Sequence, residues 1–196
     1  MILPIVAYGD TVLRKMAKEI NKDHPNLKAL LNDMYETMYN AKGVGLAAPQ
    51  IGLPIRIFLV DATPFSDDEE LDISEQEFLA SFKQTFINAT IIEEAGDEWA
   101  FNEGCLSIPD VREDVFRQPD IVIEYFDEDF KKHTEKFTGI AARIIQHEYD
   151  HIEGVLFTDK LSPLKKRLIK RRLEDISKGK TNIGYRMKYP NMKKKR

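Results

Sequence analysis

Gly139-Ile140-Ala141-Ala142-Arg143-Ile144-Ile145-Gln146-His147-Glu148-Tyr149-Asp150-His151 is the stretch on which the fold turns. Ile140, Ile144, Ile145 and His151 fit one helix, which runs to about residue 153, where Gly154 supplies a stop. Just upstream the period is two: residues 121–126 alternate apolar with polar, turn at 127–129 and return through 133–137 as a hairpin. Residues 55–60 and 86–92 are rich in branched side chains and read as further strands. Between them lies an acidic insertion, 66–80, which is either a short helix or a mobile segment. An amphipathic helix is predicted over 25–39, where Leu27, Leu30, Leu31, Met34 and Met38 recur at helical spacing, ending near Gly43. The small residues of 43–52 follow as a loop. Pro163 opens a last helix to about residue 178. Strands grouped together with helices outside them, without regular alternation, predict an α+β fold.

A chain of 196 residues suits one domain, expected over 1–180 and followed by a basic tail, 181–196. Hydrophobic residues at 42% and charged residues at 32% exclude both a disordered and a collagen-like chain. No run approaches the roughly 18 apolar residues that cross a bilayer. Asp10, Arg14 and Lys15 stand where a signal peptide would be apolar, so no membrane association and a cytoplasmic location are expected. The net charge of −4 hides an acidic segment at 67–77 and basic ones at 165–172 and 193–196. Cys105 is the only cysteine, so it has no internal disulfide partner and is a buried spectator, a nucleophile or a metal ligand.

His147 and His151 stand at i and i+4, so both imidazoles reach one ion from the same helical face, with Glu148 beside them. A catalytic site of this kind takes a third protein ligand and leaves a position for water. The extended pattern with a third histidine on the same segment fails, because Phe157 occupies that place. Two ligands remain open on spacing alone: Glu174 downstream, as in thermolysin-like peptidases, and Cys105 upstream within Glu103-Gly104-Cys105-Leu106-Ser107-Ile108-Pro109. A noncatalytic RNA-binding protein with a structural metal is a third reading.

Three segments, Gly43 to Gly52, Glu103 to Ser107 and His147 to His151, together resemble the three signature motifs of the peptide deformylases, in that family's order and without gaps. The similarity extends from about Ile2 to Lys178. The resemblance implies an α+β fold with antiparallel sheets packed around a metal-binding helix and an additional C-terminal helix. It implies hydrolysis of the formyl group from the N-terminal formyl-methionine of nascent proteins, with formate released.

By the same resemblance Cys105, His147 and His151 hold one divalent metal, with iron(II) expected and zinc, nickel or cobalt as substitutes. Glu148 takes the proton of an activated water and returns it to the leaving amine. The side-chain amide of Gln50 and the backbone N–H of Leu106 stabilise the oxyanion. The backbones of Val44 and Gly104 bind the substrate chain, Gly45 leaves it room, Val44 and Ile144 line the methionine pocket, and Arg112 meets the peptide further along. Asp150 either orients groups behind the ligands or forms a plain surface ion pair. Arg143 departs from the apolar residue of many relatives, which predicts a more polar pocket rim. The run Lys165-Lys166-Arg167-Leu168-Ile169-Lys170-Arg171-Arg172 either contacts ribosomal RNA or is an ordinary solvated helix.

Overall fold

The computed structural model of the chain describes residues 1–192; the basic cluster of 193–196 lies outside the described residues. Four helices surround the strands: α1 (Leu27–Asn40), α2 (Ile73–Leu79), α3 (Gly139–Ile152) and α4 (Pro163–Ser177). The strands are β1 (Ile5–Val6), β2 (Gly45–Ala47), β3 (Ile57–Asp61), β4 (Lys83–Ala95), β5 (Trp99–Cys105), β6 (Ile108–Arg117), β7 (Asp120–Phe126), β8 (Lys132–Phe137) and β9 (Met187–Lys188). An antiparallel sheet runs in the order β2-β3-β4-β7-β8, β5 and β6 form a separate hairpin, and β1 pairs with β9 in parallel. Among the described residues no helix is long and apolar enough to cross a membrane.

Alternation fixes which face of the large sheet is buried. Ile121, Ile123 and Tyr125 of β7 point inward with Phe58, Val60 and Phe86 of the neighbouring strands, and α3 covers them with Ile140, Ala141, Ile144 and Ile145. The α3 helix is enclosed on almost every side, because the large sheet lies against one face and the β5–β6 hairpin faces another. Burying one of its isoleucines in full stabilises the fold by roughly 1.5–3 kcal/mol. Buried polar side chains on such a helix need partners, and this one carries Arg143, Gln146, His147, Glu148 and His151.

The structure differs from the sequence expectations at some elements and decides between alternatives at others. The first helix starts at Leu27 rather than residue 25. The segment 43–52 is not all loop: β2 lies within it, pairing Gly45 with Val60, and a 3-10 turn, Ala48–Ile51, follows. Both strands of the β5–β6 hairpin were unanticipated, since Asn102-Glu103-Gly104 breaks any apolar alternation. The acidic insertion contains the short helix α2, capped by Asp72, whose side chain accepts from the Glu75 N–H at 2.8 Å. Its buried Leu79 anchors it to the core. Past residue 180 the chain returns to the body, where β9 places Met187 opposite Ile5.

Candidate active site

Cys105 ends β5, where a register shift after Gly104 turns the hairpin sharply into Leu106 and Ser107. Facing it, α3 presents His147 and His151 one turn apart. The cysteine sulfur and one nitrogen from each ring all lie within 4.8 Å of one another, and Cys105 Sγ is 3.3 Å from His151 Nε2. His147 Nδ1 is taken by Glu103 Oε2 at 2.9 Å, which leaves its Nε2 for the shared space. A thiolate and two imidazoles, one of them oriented by a carboxylate, are a donor set suited to a divalent transition metal, so these residues fit such an ion. Burial, and next the charge of His147, hold His151 well below its ordinary pKa, in the neutral form that can ligate. Glu174, the alternative ligand, stands exposed on α4 and is no part of this group.

A buried ionic chain supports the ligands from behind. Arg117 donates to both oxygens of Glu103 at 2.7 and 2.9 Å and to Asp150 Oδ2 at 2.7 Å. Burial alone would raise the Glu103 carboxyl, but the bonds from Arg117 and His147 hold it well below the usual carboxylate range. Asp150 is thus linked to Glu103 through Arg117, and also pairs with Lys160 at 3.5 Å. Arg143 also turns toward Glu103, at 3.2 Å, and donates to the carbonyls of Val115 and Trp99 with its guanidinium over the Trp99 ring. Arg143 lines the cavity as expected of a polar rim, with its guanidinium engaged by Glu103 and these two carbonyls.

Glu148 is 4% exposed, and its Oε2 has no hydrogen-bond partner among the described residues. Burial pushes its carboxyl up to about 7, against the pull of His147. Gly45 makes room for it: a methyl group there would lie 2.7 Å from the Glu148 carboxyl carbon. Gln50 accepts from the Ala47 N–H at 2.8 Å, which turns its amide nitrogen toward Cys105 Sγ at 3.5 Å and Ser107 Oγ at 3.4 Å.

A cavity of about 490 Å³ opens over this group. Val44, Gly45, Gln50, Gly104, Cys105, Leu106, Arg112, Ile144, His147 and Glu148 all line it, while His151 sits beneath. Phe65 and Phe101 add an apolar end beside Val44 and Ile144. Arg112 stands at the exposed side, held by the side chain and carbonyl of Asn102 at 2.8 and 2.6 Å. Sequence reasoning gave no role to Glu103, Arg117 or Tyr185. The signal for Glu103 is its place two residues before Cys105 in a strand; Arg117 and Tyr185 carry none.

An α+β frame that brings a thiol and two imidazoles together beside a buried carboxylate with a free oxygen defines a metal-dependent amide hydrolase. The polypeptide deformylase family model matches residues 2–167. Peptide deformylases of Christiangramia forsetii and Flavobacterium johnsoniae are 67% and 66% identical over 196 residues, covering all of both chains. Among solved structures, a peptide deformylase from Legionella pneumophila superposes with TM-score 0.77 at 35% identity, covering 92% of this chain and 98% of that one. The Thermotoga maritima enzyme gives 0.72 at 36% identity, covering 83% and 99%. The chain belongs to the peptide deformylase family. It is a hydrolase that removes the formyl group from N-formylated nascent peptides.

Proposed function

We propose that Cys105, His147 and His151 hold the metal, iron(II) in the cell, and that Glu148, Gln50 and Leu106 carry the hydrolysis of the formyl group. The observation that supports this most directly is the unpartnered Glu148 oxygen beside the three converging donors. When bound, the metal supplies Lewis acidity that makes a water nucleophilic near neutral pH. Glu148 accepts that water's proton and later delivers it to the departing methionine nitrogen, a task suited to a carboxyl whose pKa lies close to the working pH. Gln50 Nε2 and the Leu106 N–H donate to the oxygen that gains charge as the formyl carbon becomes tetrahedral. The methionine side chain fills the end of the cavity between Val44 and Ile144, its backbone lies along Val44, Gly45 and Gly104, and Arg112 meets the following residues.

Formate released from a formyl-Met-Ala peptide by the iron-loaded protein tests the reading. Glu148→Gln is expected to lower kcat by roughly 10²–10⁴-fold while metal content stays the same. Full activity in that variant would remove Glu148 from its role. Iron predicts activity lost in air by oxidation or loss of the metal; a zinc form equally active and stable would argue against it.

The chain is read as one catalytic domain, 1–180, with its tail, working in the cytoplasm where nascent chains are made. The exposed Lys166, Arg167, Lys170 and Arg171 of α4 favour a second contact, with ribosomal RNA. Lys165 and Arg172 instead pair with Glu113 and Asp110 of β6. Ribosome binding should weaken steeply as salt is raised, and binding indifferent to salt would dismiss this contact.

A further inference from the structure

The turn that carries Leu106 is held by the two-stranded β1–β9 pair. From residue 181 to 190 the chain alternates half-buried with exposed side chains, as a strand does, which turns Ile183, Tyr185, Met187 and Tyr189 inward. Its backbone is fixed to the start of the chain, where Ile5 N–H donates to the Arg186 carbonyl and Ala7 N–H to the Lys188 carbonyl, both at 2.9 Å. Two consecutive carbonyls of the active-site turn are then captured. Tyr8 N–H donates to the Ser107 carbonyl at 2.8 Å, and the Tyr185 hydroxyl donates to the Leu106 carbonyl at 2.8 Å. Tyr185 also packs against Leu106 and, with Ile183, lines the cavity. Ile183 and Tyr185 lie beyond the residues matched by the family model.

We infer that Tyr185 is a positioning residue for the hydrolysis: by holding the carbonyl of Leu106 it fixes the Leu106–Ser107 peptide plane and so restrains, across the Leu106 Cα, rotation of the preceding plane that carries the Leu106 N–H, and the β1–β9 strap is thereby a working part of the active site. The inference rests on the proposed role of Leu106 as a donor to the oxyanion. Cys105 and Ser107 on either side are held by His151, Gln50 and Tyr8, but Leu106 itself is gripped by a side chain from the strap. A donor that must be in place before charge develops loses effect when its peptide can rotate.

Tyr185→Phe removes only the hydroxyl and leaves the ring to pack. Expected are faster hydrogen exchange at the Leu106 amide and a kcat roughly tenfold lower on formyl-Met-Ala. KM, metal content and thermal midpoint should stay unchanged. Tyr189→Phe, which loses a hydroxyl bonded to Thr181 on the same strap, is the control and should alter none of these. Unchanged exchange at Leu106 in Tyr185→Phe overturns the positioning role. Faster exchange with unchanged kcat overturns it as well, and traces the failure to Leu106 not being the donor. A drop in thermal midpoint, metal content and kcat together assigns the hydroxyl to general stability and also sinks the proposal.

Discussion

Gly45 sits where β2 passes closest to α3, and the space above its Cα is filled by the Glu148 carboxyl. Gly45→Ala should therefore displace that carboxyl rather than unfold the strand: we expect kcat to fall roughly 100-fold with metal content intact. An alanine enzyme with normal kcat would show that Glu148 tolerates another position. Glu103 is the second sensitive residue, because its carboxylate meets His147, Arg117 and Arg143 together. Glu103→Gln keeps the shape but not the charge, and metal affinity measured by chelator competition should drop about 10–100-fold. His147, Glu148 and His151 were legible from the spacing of one helical turn, whereas Cys105, which spacing left in competition with Glu174, and Gln50 entered through the resemblance of their segments to the family's motifs. Glu103 and Arg117 were not, since their importance comes from meeting across a hairpin and under a helix.

At the level of elements, α3 needs its N-terminus held, for its first N–H groups have no partner within the helix. The Ile140 N–H donates to a Glu75 carboxylate oxygen at 2.9 Å, so the acidic insertion caps the helix that bears both histidines. Gly139 has a φ of 56° and leaves room for that carboxylate, which a side chain would meet. Glu75→Ala should cost about 1 kcal/mol of stability, read from denaturant midpoints at constant slope, with kcat little changed. No loss would mean that solvent caps the helix equally well. Period decided which elements could be foreseen: α3 and the β7–β8 hairpin have clear ones, and their boundaries came out close. The polar strand β5 and the three-residue β2 carry no periodic signal, being strands by virtue of the partners they pair with.

For the molecule as a whole, the donor cluster joins the β5–β6 hairpin to α3, two parts with residues 118–138 of the chain between them. Metal should tie them together: at a free concentration a hundredfold above Kd, binding only the folded form adds about 2.7 kcal/mol. Chelation is then expected to lower the thermal midpoint by roughly 5–10 °C in calorimetry. Equal midpoints with and without metal would place the ion outside the folded core. The overall class was readable because grouped strands and flanking helices admit few arrangements. Nothing in 181–192 announced that it returns to the catalytic turn, since a strand of two residues gains its meaning from what lies beside it.

The parallel union of β1 and β9 also has a bearing on birth order. On the ribosome the first of these strands is made long before its mate and waits for it unpaired. Until Tyr185 clears the exit tunnel, the Leu106 carbonyl lacks its clasp.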